Sequence, residues 1–224
     1  MFYDWFLDTF EIKYLIGCWD VIFVLLFQGG NTLARPRGPR FKVARRFGVN
    51  VCAHPKALKR GATPVRKQSD YGKQLNEKQK LKAYYDMQEK QFANWVEAAM
   101  SAKGNAGETL VQRLECRLDN LVYRLGFGST LRQARQMVVH QHILVNGKRV
   151  DRPSYEVKVG DVISLREKSQ SIDTFKNNFK ESLCNLSYLQ KDENNLSGKL
   201  VSLPAREEVP IEVTDSLIIE YYSK

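Results

Sequence analysis

Arg135 and Gln136 follow Arg132 by three and four residues and His140 follows Gln136 by four, a spacing that sets them along one face of a helix. A few residues further on, Lys148 and Arg149 follow an Asn146-Gly147 pair. Asn-Gly between the short apolar runs Ile143–Val145 and Val150 is a strong hairpin signal, because both turn positions need positive φ. Guanidinium, ammonium, imidazole and carboxamide groups collected on a helix and a neighbouring hairpin can hold phosphates and 2′-hydroxyls without making or breaking a bond. Such a unit suits an RNA backbone. Arg117, Arg124 and Thr130 precede it closely and are taken as part of the same RNA-facing set.

Two helices must carry these groups. Leu114, Leu118, Leu121 and Leu125 share a face at three- and four-residue spacing, and Gly126 ends the run. Thr130-Leu-Arg-Gln133 fits a capping box and starts a second helix. That helix turns Leu131, Ala134, Met137 and Val138 inward and Arg132, Arg135, Gln136 and His140 outward. Beyond the hairpin, Tyr155–Val159 and Asp161–Leu165 alternate around Gly160-Asp161 and read as strands that close a small sheet.

The charge around this unit is uneven. The chain of 224 residues has a net charge of +10, yet residues 34–103 alone hold 17 Lys and Arg against 5 Asp and Glu. That layout points to a polyanionic partner. Arg35-Pro-Arg-Gly-Pro-Arg40 excludes regular structure, and Arg35, Arg37, Arg40, Arg45 and Arg46 would order against phosphates as an extended basic arm over residues 34–68. Ser69-Asp70 opens a helical domain over 69–114. There Phe92, Trp95, Val96, Ala99 and Met100 keep a helical period that marks them as core, and Gly104 closes the helix. The RNA-binding domain spans 115–170. In the C-terminal segment, 171–224, the polar stretch up to residue 200 mixes helix and loop, and Ser216–Tyr222 is a docked, β-rich apolar run.

Residues 1–33 are apolar and acidic, unlike a signal peptide. Gly29-Gly30 can be encoded by a bacterial ribosome-binding sequence and Leu33 by an alternative start codon. The expectation is therefore a non-native leader, with the protein proper starting at position 33.

Several functions are excluded. Three histidines, no Gly-rich phosphate loop and no paired-acid motif leave nothing that passes as a catalytic site. Cys18, Cys52, Cys116 and Cys184 form no Cys-x-x-Cys pair, which favours a reducing compartment over a disulfide framework. Cys52 and His54 supply two ligands where zinc takes four, so no metal and no cofactor are expected.

The motifs together resemble small-subunit ribosomal protein four in its bacterial or organellar form. The resemblance rests on Ser69-Asp-Tyr-Gly72, Gln74-Leu75 through Leu81, Glu89-Lys-Gln-Phe92, Arg117-Leu-Asp-Asn120, Tyr123-Arg-Leu-Gly-Phe127, Ala134-Arg-Gln136, His142–Gly147, Arg166–Ser169 and Leu217–Ser223. They occur in the family's order and cover about residues 34–224. The resemblance implies an α+β fold: a mostly helical N-terminal domain plus a small RNA-binding domain of two antiparallel helices on a short twisted antiparallel sheet. The C-terminal segment would return to the helical domain. It implies binding to the 5′ domain of small-subunit ribosomal RNA early in assembly, contact with small-subunit ribosomal protein five at an interface linked to decoding accuracy, and, as in some members, binding to the protein's own messenger RNA. It places the protein in the cytoplasm, in the small ribosomal subunit of a bacterium rather than an organelle, with no membrane partner. A free-standing RNA chaperone or assembly factor is the alternative; only the subunit component would stay in salt-washed particles.

Three departures stand out. The family's N-terminal cysteine cluster is not matched around Cys52. Gly61-Ala-Thr-Pro-Val65 replaces a Pro-Gly-Gln-His-Gly loop. Gln141 stands where most members have Gly, and the second helix is therefore expected to end differently.

Overall fold

The computed structural model describes residues 38–64, 67–182 and 186–223. The leader, Arg35, Arg37, Cys18 and Cys184 lie outside them. A first helix, α1 (Arg40–Phe47), starts directly after Pro39. Proline suits a position just before a helix, where no N–H is needed, so the extended arm expected over 34–68 gives way to a helix at Arg40. Phe41, Val43 and Phe47 pack with Ala44, Val51 and Ala57 into a small core that Ala83 and Tyr84 also join.

Helices α2 (Asp70–Tyr84), α3 (Glu89–Met100) and α4 (Ala106–Glu115) form the helical domain. Ser69 caps α2 by accepting from the Gly72 N–H at 3.2 Å. Phe92, Val96 and Ala99 are buried with Leu81, Leu110 and Leu114, and Trp95 packs on them half-buried. Met100, assigned to that stripe from the sequence, is exposed, and α3 ends there, before Gly104.

The single helix expected to run on to Leu125 is broken. α4 stops at Glu115, and α5 (Leu118–Arg124) restarts after Cys116-Arg117. The segment 153–157 inserts at the break. Pro153 and Tyr155 carbonyls accept from the Asp119 and Leu118 N–H groups, and Val157 N–H donates to the Cys116 carbonyl. Tyr155 and Val157 use backbone groups there, and residues 155–159 form no strand beyond one bridge between Arg117 and Glu156. The two misreadings have one cause.

α6 (Leu131–Val139) then packs on α5. Strands β1 (Ile143–Val145), β2 (Lys148–Arg149), β3 (Val162–Leu165), β4 (Leu189–Asp192) and β5 (Ser197–Leu200) build one antiparallel sheet in the order β2-β1-β3-β5-β4. Short helices α7 (Glu167–Gln170) and α8 (Asp173–Glu181) connect β3 to β4. The β4–β5 hairpin was not legible in the polar stretch after residue 167. Its sheet presses so closely on α5 that a Cβ at Gly198 would collide with the Leu125 side chain. Leu118, Leu121, Val122, Leu125, Ala134, Met137, Val138, Ile143, Ile163 and Leu200 share the resulting core.

The chain ends in α9 (Asp215–Tyr222), a helix and not the β run expected there. α9 lies along α2. Ile218 joins the helical core, Gln74 donates to Glu220 at 3.0 Å, and the Lys78 ammonium sits 4.3 Å from the Tyr221 ring centre. Docking of this kind overrides the β propensity of Ile and Tyr.

Candidate nucleic-acid interface

The Thr130 hydroxyl accepts from the Gln133 N–H at 3.2 Å, as a cap should. The return bond of the box is displaced by one residue: Gln133 Oε1 accepts from the Ser129 N–H, 2.9 Å, and the Ser129 hydroxyl, 2.8 Å. At the other end, Gln141 takes a left-handed conformation, φ +59°. Its N–H donates to the Val138 carbonyl, and the His142 N–H to that of Met137. These are the two bonds of a Schellman ending. The helix therefore ends as it would with glycine, contrary to the different ending expected. Asn146 and Gly147 both have positive φ, +50° and +75°, and set Lys148 opposite Val145 and Arg149 opposite Leu144.

The arginines divide into two groups. Arg117, 1% exposed, donates through Nε and Nη2 to Asp119 at 3.0 and 2.8 Å. Arg124 grips Glu115 in the same two-pronged way, at 3.2 and 2.8 Å. Burial opposes the Arg124 charge, but the Glu115 carboxylate overrides it, and the pKa lies above the ordinary guanidinium value. Glu115, wholly buried, also accepts from the Tyr85 and Tyr188 hydroxyls and from Asn120. Burial, with Glu115 beside it, pushes the Tyr85 hydroxyl well above its usual range.

Arg135 was expected to face outward and is 7% exposed. It donates to Asp119 (Nε, 2.9 Å), to the Asp86 carbonyl (2.8 Å) and to the Tyr85 carbonyl (3.0 Å). Arg132 is half-exposed, with Nε and Nη2 on the Asp86 carboxylate at 3.1 and 3.3 Å. Arg117, Arg124 and Arg135 thus tie the run α4-α5-α6 to itself and to the α2–α3 turn. Sequence reasoning missed Asp86, Glu115 and Asp119, the acids that collect them. Asp119 stands two residues from Arg117, the only hint available.

The second group faces solvent. Gln136, His140, Lys148 and Arg149 are exposed. Arg40, Arg45 and Arg46 of α1 are half-buried or exposed, lying against Phe41 and Phe47 or bonded to the Phe41 carbonyl. Among the described residues, none of these five cations has an acidic partner. Next to His140, the His142 ring accepts or donates a hydrogen bond with the Ser169 hydroxyl at 2.8 Å and meets Phe175 edge-on. Burial, then the charges of His140 and Arg166, hold the His142 pKa below its ordinary value. Burial pushes the Cys116 thiol up to about 12, so it is no nucleophile.

A helical domain joined to a two-helix-and-sheet unit, with uncompensated cations on both, defines a class of RNA-binding protein. Residues 35–115 match the family described as "Ribosomal protein S4/S9 N-terminal domain", and residues 116–163 the "S4 domain"; the boundary falls at the break between α4 and α5. The chain is 56% identical over 192 residues to small ribosomal subunit protein uS4B of Clostridium acetobutylicum, covering 86% of this chain and all of the relative. It is 50% identical over 199 residues to uS4 of Finegoldia magna and 45% over 201 to uS4 of Limosilactobacillus reuteri, with the same coverage. The chain belongs to the small ribosomal subunit protein uS4 family.

Proposed function

We propose that this protein is a structural component of the small ribosomal subunit and binds ribosomal RNA through two cationic surfaces. One is α1 with the loop after it; the other is Gln136, His140, Lys148 and Arg149 on α6 and the hairpin. Its family is one of structural RNA-binding proteins and not of enzymes. The finer reading is that it binds the 5′ domain of the small-subunit RNA early in assembly, in the cytoplasm. It then acts with small-subunit ribosomal protein five on decoding accuracy, and its own messenger RNA is a further ligand for the same surfaces.

The observation that carries RNA binding is the division of charge. Residues 38–64 contain Arg40, Lys42, Arg45, Arg46, Lys56, Lys59 and Arg60 and not one Asp or Glu. Lys148 and Arg149 likewise lack an intrachain acid among the described residues. Cations without internal counter-charges are those that can release counterions from a phosphate backbone. A-form grooves hide base edges, so recognition is of backbone shape and junction geometry.

The test is binding of the full chain to a transcript of the 5′ domain across a salt series, with chemical footprinting of the RNA. Six or more phosphate contacts predict an affinity loss on the order of a thousandfold between 50 and 200 mM salt. Binding that ignores salt, or loss of the protein from salt-washed small subunits, would overturn the reading.

A further inference from the structure

Asp86 stands where the backbone does not favour it. α2 ends in the same Schellman geometry as α6: Asp86 N–H donates to the Ala83 carbonyl and Met87 N–H to that of Lys82. Asp86 is the left-handed residue, φ +47°. Glycine adopts that conformation freely, and a Cβ carries a cost there that is smallest for Asp and Asn. A side chain kept where glycine would be freer can have a use, and here the contacts show one.

Arg117, just before α5, and Arg132 and Arg135 of α6 reach this turn, and they use it differently. Arg135 takes the Tyr85 and Asp86 carbonyls, and Arg117 contacts the Met87 sulfur at 3.4 Å. Both contacts are to groups that a glycine at position 86 would leave in place. The two-pronged Arg132 bond needs the Asp86 carboxylate, which also stands 3.8 Å from Arg135 Nη1 as a longer ion pair without a hydrogen bond. The carboxylate is 16% exposed and the arginine side chain 38%, so the pair sits at the rim, beside the exposed Gln136 and His140 face of the same helix.

We infer that Asp86 is a positioning residue that withholds Arg132 from RNA. Its carboxylate neutralises the one α6 arginine able to reach solvent and spends it on clasping the α2–α3 turn to α6. The cationic surface offered to RNA is thereby confined to α1, the far end of α6 and the hairpin. The inference rests on the RNA-binding reading above for its effect on RNA, but not for the clasp itself.

Four full-length proteins test it: wild type, Asp86→Asn, Arg132→Ala and the double variant. Asparagine keeps the size of the side chain and tolerates the left-handed region, so only the charge changes. Against the 5′-domain transcript, Arg132→Ala should bind within twofold of wild type. Asp86→Asn, with Arg132 released, should bind at least threefold tighter at 50 mM salt. Its salt slope should steepen by roughly 0.7 to 0.9, one extra phosphate. The double variant should return to wild type. An Arg132→Ala protein that binds tenfold more weakly with a shallower slope, or an Asp86→Asn protein that is unchanged, overturns the inference.

A melting cycle on the same four proteins requires no RNA. The unfolding constants should be non-additive by roughly two- to fivefold, the range of measured ion-pair couplings at partly exposed sites. Additive effects would abolish the clasp. If no variant, wild type included, binds the transcript while the cycle shows coupling, the RNA-binding reading has failed and the clasp has not.

Discussion

Replacing Arg135 with methionine keeps a long apolar stem at that position of α6 and deletes only the guanidinium. What it leaves behind can be read from the contacts. The Tyr85 and Asp86 carbonyls lose their Arg135 donors, at 3.0 and 2.8 Å. Asp119, 1% exposed, loses one of its two arginines but keeps Arg117 and the Asn120 N–H. Each buried carbonyl stranded in this way costs about 1–3 kcal/mol. Asp119 is only half-orphaned, so its share falls below the 3–5 kcal/mol of a fully broken buried pair. The Asp86 carbonyl is only part-buried and can turn to water, so the sum lies in the lower part of its range, about 3–5 kcal/mol, a large part of the 5–15 kcal/mol available to a typical domain. At about 2–4 °C per kcal/mol for a chain of this size, Tm should fall by roughly 6–20 °C. The assay pairs thermal melting with binding to the 5′-domain transcript at a temperature where the variant is still folded. Binding there should stay within twofold. The opposite pattern, an unmoved Tm with a tenfold loss of affinity, would mean that Arg135 faces RNA, as its position in the helix pattern first suggests, and would refute the burial argument.

The exposed cations should behave in reverse: Lys148→Ala with Arg149→Ala should leave Tm within about 2 °C, as surface changes do, and flatten the salt slope of RNA binding by roughly 0.7–0.9 per residue lost; filter binding over 50–200 mM salt measures both affinity and slope. Gln141→Gly relieves a left-handed glutamine at φ +59° and should stabilise the fold by on the order of 1 kcal/mol, read by urea denaturation. His142 has its pKa lowered on folding by burial and by His140 and Arg166, so the unfolded chain takes up the proton first. Its contribution is fully present above the ordinary value of 6.5 and is lost as pH falls through that value towards the lower folded one; His142→Asn should flatten the decline in stability between pH 7.5 and 5.5.

What could be read without coordinates was local. The Asn146-Gly147 turn, the caps at Ser69 and Thr130 and the inward faces of α3, α5 and α6 each depend on residues within four positions of one another, and each is present. What could not be read depends on partners distant in the chain. The break at Cys116-Arg117 exists because residues 153–157 supply its hydrogen bonds. β5 is a strand because β3 offers an edge, with Ser164 opposite Ser197 and Ile163 opposite Gly198. α9 is helical on the surface of α2, although its composition favours strand.

The same distinction governs the charges, and there it alters the site. A helical pattern assigns Arg135 to the polar face, because an arginine in solvent is the default. Burial becomes favourable only when acids arrive to meet it, and Asp119 and the Tyr85-Asp86 turn come from 16 and about 50 residues away. Net charge cannot detect this, since a paired arginine and a free one count alike. Pairing is therefore the better measure of how much positive surface the chain presents. By that measure the α5–α6 unit keeps Lys148 and Arg149 free at the hairpin and commits Arg117, Arg124, Arg132 and Arg135 to internal acids. α1 and its loop commit none of their cations to a described acid. If RNA affinity follows free cations, a charge removed from α1 must cost more binding than one removed from the inner side of α6, and the cost must appear in the salt slope and not in Tm.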